Sequence, residues 1–328
     1  MNGIRAVIPS RIVIVTAGLA VLAFFLSLWI GPDGFGLPHE AAAAKLVFNE
    51  IRVPRAVLGL LIGAALGVSG AVLQGYLRNP LAEPGLLGIS GGAALGAVTA
   101  IHSGLAGRIA LALPLAGLTG AALATIVIVA LAGASGSTTT LILAGVAVSS
   151  VAGALTSLAL NLSPNPFAST EIMFWLMGSL TDRSLVHVWL AAPLIAIGIA
   201  MLLTTGRDLE ALSLGEDAAQ NLGVDPAGLR FKVIGGSALA VGAATAVAGS
   251  IGFIGLIVPH ILRPFVGSNP GRLLVPSLFG GAAMVLFSDV ALRLFAPQGD
   301  LRLGVLSALI GAPFFLWRVL ASRQELAP

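Results

Sequence analysis

The chain has 328 residues, 57% of them hydrophobic and only 9% charged, against roughly a quarter charged in an ordinary soluble domain. Its 17 basic and 14 acidic side chains are too few to cover the surface of a water-soluble globule of this size. Together with a mean hydropathy of +1.01, this excludes disorder, nucleic-acid binding and an ordinary cytosolic enzyme fold, and leaves an all-α, polytopic membrane protein. The formal charge of +3 rests on scattered cations and is no nucleic-acid footprint. With no cysteine, the chain has no disulfide, thiolate metal site or Cys nucleophile.

A helix crosses a bilayer with about 20 apolar residues, because only a helix or a closed barrel satisfies its backbone in lipid. In chain order the apolar stretches fall at 12–30, 56–76, 86–102, 110–132, 140–161, 187–205, 231–250, a short one near 253–264, 273–295 and 304–320, ten in one transmembrane domain spanning 1–328. The first follows Arg5 and Arg11, is long for a signal peptide and lacks an obvious small-residue cleavage site, so it reads as a retained span. Gly63-Ala-Ala-Leu-Gly67 and Gly92-Ala-Ala-Leu-Gly96 are small-xxx-small faces suited to close helix packing. Gly63 to Ala71 also echoes Gly236 to Ala244, and those two spans would run in opposite directions, as in an inverted-topology repeat.

With both termini cytoplasmic, ten of the 17 cations fall inside and seven outside, the sign expected of the positive-inside rule. Arg52, Arg55, Arg293 and Arg302 are the exceptions, sitting at outer helix ends. Two readings are open for them: an acidic partner docking from outside, or headgroup anchoring and pairing with Glu50, Asp289 and Asp300. Asp289 stands four residues before Arg293, so the two can pair along a helix.

The cytoplasmic loop at about 208–228 stands apart. Leu209, Leu212, Ala219 and Leu222 recur at helical spacing with acids between them. Glu216 and Asp217 suit a helix start, and Gly223 followed by Pro226 suits its end. It is too polar to insert and carries no basic face for a lipid surface, which predicts a short amphipathic helix that a partner grips.

Little catalytic chemistry is present. The two lysines, Lys45 and Lys232, end no glycine-rich P-loop, so this polypeptide does not bind ATP through that motif. Gly88-Ile-Ser-Gly-Gly92 matches a nucleophile-elbow pattern but opens an apolar helix, not a strand-to-helix turn. His39, His102, His187 and His260 lack partners at three or four residues, which argues against a metal site. His260, after Pro259, is expected at a helix start in a structural hydrogen bond. Ionisable residues deep in the spans are scarce, Asp289 being the nearest candidate, so the energy for uphill transport is expected from another subunit. The alternatives are a secondary carrier for an amphipathic solute without an ATPase partner, an intramembrane enzyme and a structural scaffold.

Several segments together resemble one family. Arg52-Val-Pro-Arg55, Gly63 to Gly70 and Arg78-Asn-Pro-Leu-Ala-Glu-Pro-Gly-Leu-Leu-Gly88 are similar to its N-terminal signature, and Leu212-Ser-Leu-Gly-Glu216 with Leu222-Gly223 to its cytoplasmic loop. Gly252-Phe-Ile-Gly-Leu-Ile-Val-Pro-His-Ile-Leu-Arg263 and Gly311-Ala-Pro-Phe314 complete a match running in order from about 50 to 320. These are motifs of the FecCD-type permeases, membrane subunits of bacterial ABC importers for cobalamin, haem and ferric siderophores. Asn79 to Gly88 and Gly252 to Arg263 are most like the cobalamin-carrying members.

The resemblance implies a type II importer permease in the bacterial inner membrane: ten helices, an inverted-repeat core, and a homodimer with its pathway on the two-fold axis. Two ATP-binding cassette subunits would lie below and a periplasmic substrate-binding protein above, with no cofactor or metal on this chain, since ATP is used by the partners. Carried over by position, Arg52, Arg55 and Arg293 would meet the binding protein. Thr138 and Thr139 would form a cytoplasmic gate, with Asn79 and Leu81 a second constriction beside it. Leu212, Gly215, Glu216, Leu222 and Gly223 would hold the helix that couples to the ATPase. The family's Glu-x-Pro before the last span is replaced by Asp300-Leu-Arg302, whose extra cation implies either a further outer contact at Arg302 or simply a different binding-protein partner.

Overall fold

The computed structural model describes residues 10–325 apart from 33, 39, 134–137, 164 and 297–300, with side chains described from 11 to 316. Arg5, His39 and Asp300 lie outside the described residues. Helix α1 (Ser10–Trp29) leads into a short antiparallel pairing of Ile30–Gly31 with Gly34–Phe35. Helix α2 (Ala41–Leu46) passes through a π-helical turn (Val47–Arg52) into α3 (Val53–Tyr76), a continuous helical stretch of 36 residues. A 3-10 turn (Pro84–Leu87) precedes α4 (Ile89–His102), followed by α5 (Ala112–Ala132), α6 (Thr138–Asn161), α7 (Pro166–Leu176) and α8 (Leu185–Leu203). Two short helices, α9 (Gly206–Leu212) and α10 (Glu216–Asn221), lead to α11 (Pro226–Ala248) and α12 (Ile254–Leu262). A 3-10 turn (Arg263–Val266), α13 (Pro270–Phe295) and α14 (Leu303–Glu325) complete the chain.

Among the described residues, seven helices are long and apolar enough to cross a membrane, and three shorter apolar ones fall at Ile89–His102, Ile254–Val266 and Leu303–Leu316. These match the ten expected stretches in order. Helices α2, α7, α9 and α10 were not among them, being too short or too polar to register as spans.

Helix α3 forms the centre, packed on α13, α8, α11 and α12. The small residues explain how. A Cβ on Gly67 would collide with the carbonyl oxygen of Ser277, and one on Gly96 with that of Ala116. Thus the Gly63/Gly67 face lets α3 and α13 approach backbone to backbone, and the Gly92/Gly96 face does the same for α4 and α5. The peripheral helices α1, α5, α6 and α8 instead expose large apolar side chains such as Leu123, Leu143 and Trp189. That surface would aggregate in water and suits a hydrocarbon surround.

The chain unwinds between α11 and α12, with Phe253 held at φ +66°. Irregular backbone in such a bundle persists only where its polar groups find partners. Here the Ala248 carbonyl accepts from Ser179 N–H at 2.7 Å, and Phe253 N–H donates to the Glu83 carboxylate at 3.3 Å. Burial pushes the Glu83 carboxyl above the ordinary glutamate range, partly opposed by the Phe253 bond.

Candidate functional site

Helix α1 stops at Trp29, leaving its last carbonyls without intrahelical donors. Two arginines fill that need. Arg52, 7% exposed, donates to the carbonyls of Leu28 and Trp29 at 2.9 and 3.0 Å. Arg293, 5% exposed, donates to the carbonyls of Ser27 and Ile30 and to Ser27 Oγ at 2.7 Å. Cations at a helix C-terminus are favoured by its dipole as well.

Asp289, 1% exposed, is the hub of this end of the bundle. Arg55 grips it in a forked contact, Nε to both oxygens at 3.0 Å and Nη2 to Oδ1 at 2.8 Å. Arg293, one turn away on α13, meets Oδ2 at 2.9 Å. The expected Asp289–Arg293 pair is present, but Arg52 and Arg293 do not stand on an open docking face. They are turned inward because the ends of α1 and the buried carboxylate need their donors. Arg302 sits elsewhere, its guanidinium 4.8 Å from the Phe174 ring centre on α7.

At the opposite end, α3 terminates and Arg78 takes a left-handed turn (φ +48°). Asn79 folds its side chain back to accept from Leu81 N–H at 2.9 Å, an Asx turn that fixes the Asn79–Leu81 step. The segment then packs on α6 where Gly145 meets the Leu86 carbonyl too closely for a Cβ. Thr138 and Thr139 are the first residues of that same helix, Thr139 exposed. That contact joins Gly145 to Leu86, about two turns beyond the threonines and five residues beyond Leu81.

The acidic segment is two helices rather than one. Leu209, Leu212 and Ala219 are buried in the core, whereas Leu222 is 65% exposed, joined by Leu214 at 69%. Leu222 keeps its backbone bond to Ala218 at the end of α10, and the expected stripe is split because Gly215 interrupts the helix between Leu212 and Ala219. Gly215 (φ +112°) makes the bend between α9 and α10, and Gly223 (φ +89°) the exit. Glu216 opens α10 and meets Arg78 at 3.0 Å. Asp225 caps α11 through the N–H groups of Ala227 and Gly228, each at 3.0 Å, with Pro226 in its first turn.

His260 is in the last turn of α12, not at a helix start, since Pro259 lies within the helix. Its ring packs edge-on against Phe314, centroids 5.5 Å apart. Among the described residues no group of three His, Cys, Asp or Glu stands close enough to hold a metal. Sequence reasoning missed Glu83, whose partner lies 170 residues away and has no local signal.

The described residues form seven long apolar helices and three shorter ones, with an unwound stretch between α11 and α12 and paired short helices at one end, an architecture that suits a membrane transport protein. The chain belongs to the FecCD transport family, whose pattern matches residues 13–321. It is 39% identical over 306 residues to the cobalamin import system permease protein BtuC of Halobacterium salinarum, covering 93% of this chain and 80% of that one. It is 37% identical over 312 residues to the vitamin B12 import system permease protein BtuC of Escherichia coli O9:H4, covering 93% and 94%. A solved structure described as a metal-chelate type ABC transporter in an inward-facing conformation superposes with a TM-score of 0.86 at 32% identity, covering 95% of this chain and 99% of that one.

Proposed function

We propose that this chain is the membrane permease of a binding-protein-dependent ABC importer that carries a metal chelate, cobalamin first among the candidates, across a bacterial inner membrane. The observation that carries the reading is the likeness to cobalamin permeases over 93% of the chain. The site supports it. The chain has no P-loop, and Asp289 is locked between two arginines rather than free to shuttle protons. Energy then comes from two ATP-binding cassette subunits, and cargo from a soluble binding protein.

In this reading two copies of the chain enclose the pathway. Thr138, Thr139, Asn79 and Leu81 narrow it at one end by side-chain packing, which suits a bulky chelate that a tight polar site would trap. Helices α9 and α10 couple to the ATPase, with the exposed Leu214 and Leu222 as the apolar grip and Gly215 and Gly223 setting the bend. On the opposite face Arg302 is the arginine retained for docking an acidic partner, while Arg55 is committed to Asp289. Arg52 and Arg293 support that face from below. ATP binding rocks the halves by pulling on α9 and α10.

The test is uptake by the reconstituted complex with cobalamin, haem and several ferric chelates. ATP-dependent accumulation of cobalamin is expected. Accumulation of only another chelate removes the cobalamin assignment, and accumulation without an ATPase partner removes the importer reading.

A further inference from the structure

Where α3 ends, an open cavity of about 510 Å³ lies between Gln74, Arg78, Leu81, His260, Arg263 and Ser268. Among the described residues no carboxylate lines it. Gln74, 1% exposed, donates its amide to the carbonyls of Gly255 and Leu256, both at 3.3 Å. Its Oε1 is thereby aimed at Arg263, whose Nη2 it accepts at 2.6 Å. The guanidinium is thus preoriented by a buried amide, while its Nε is buried with no partner among the described residues. Arg78, the second cation, is half-exposed, and its only ion pair among the described residues is with the more exposed Glu216. An ion pair of that kind exchanges readily. Glu210 lies against Gly271 and is not part of the lining.

We infer that this cavity binds a phosphate group, with Arg263 as the fixed donor, Arg78 as the movable one and Ser268 on the rim. A planar guanidinium with unspent donors matches phosphate oxygens, and a desolvated unpaired cation is costly until an anion arrives. The apolar wall of Leu81 and Pro270 favours a phospholipid headgroup over free phosphate, as do basic pockets between helix ends generally. The site does not depend on the transported cargo. Occupancy draws Arg78 away from Glu216, the first residue of α10, and so links the Asn79–Leu81 turn to the α9–α10 pair.

The experiment is native mass spectrometry of the purified full chain from vesicles of phosphatidylglycerol mixed with phosphatidylcholine, with and without excess inorganic phosphate. Wild type is expected to retain phosphatidylglycerol selectively, with Arg263→Gln reducing retention about tenfold or more and Arg263→Lys restoring part of it. Arg78→Gln, at an exposed pair, gives a second reading should Arg263→Gln not fold, again with a reduction of about tenfold. Displacement by inorganic phosphate at low concentration assigns the same site to free phosphate, and resistance to it assigns the lipid. Equal retention in wild type and both glutamine variants, with no phosphate competition, overturns the inference. So does a loss of ATPase-subunit binding in Arg263→Gln with lipid and phosphate retention unchanged, since a protein carboxylate would then be the occupant.

Discussion

Arg52, Arg55 and Arg293, where α1 ends, are buried and satisfied by carbonyls and by Asp289, whereas Arg78 and Arg263, at the other end of α3, border an open cavity with donors to spare. The same residue type serves two purposes. In the closed cluster, each guanidinium repairs a backbone or charge deficit, so removing one partner strands another inside the bundle. In the open one, the cations are poised for something that arrives. Cost of removal should therefore appear as stability at the first end and as binding or coupling at the second.

The largest effect is expected at the hub. Asp289→Ala leaves Arg55 and Arg293 buried without their carboxylate and should cost about 3–5 kcal/mol, read as a fall in melting temperature of the detergent-purified protein. Unchanged melting would mean the cluster is not under electrostatic constraint. Next comes the framework joining the two ends. Gly67→Leu forces α3 away from Ser277 of α13 and should cost about 1–3 kcal/mol or more, visible as lost folded yield.

A smaller, pH-dependent effect belongs to Glu83. Its carboxyl value is raised in the fold, so the protonated form is the one the fold favours. Stability is greatest while that carboxyl is protonated and declines as pH rises from the ordinary glutamate range through the folded value. Glu83→Gln should flatten that part of the melting profile, and an identical slope would show that another group titrates there. The smallest change is expected from Glu216→Gln: within about 0.2–1 kcal/mol in stability and absent at high salt, while coupling of ATP turnover to uptake falls. A large, salt-insensitive stability loss would blur the distinction between the two ends.

The apolar runs located the seven helices long enough to cross a membrane and the three shorter apolar ones, because hydrocarbon imposes a length and a composition that local sequence must obey. Gly63/Gly67 and Gly92/Gly96 were legible for the same reason: close approach demands small residues at that spacing. Asp289 with Arg293 could be read from a separation of four residues. What could not be read was long-range. The Arg55–Asp289 fork spans 234 positions, and Glu83 finds Phe253 only after α3, α4 and α12 have packed. Likewise pairing with Asp289 is one of two open readings for the outer arginines, but the carbonyls of α1 that Arg52 and Arg293 satisfy leave no mark in the charge pattern. Leu222 reads in sequence as one stripe with Leu209, Leu212 and Ala219, but the Gly215 bend divides that stripe between two helices and leaves Leu222 exposed.

In the proposed function this polypeptide is a conduit whose work is done by an attached nucleotide hydrolase. Cobalamin accumulation in proteoliposomes, measured with the permease alone and with the proposed cassette subunits and binding protein, decides the matter. Accumulation should occur only in the complete assembly and only with hydrolysable ATP; concentrative uptake by the permease alone would contradict it.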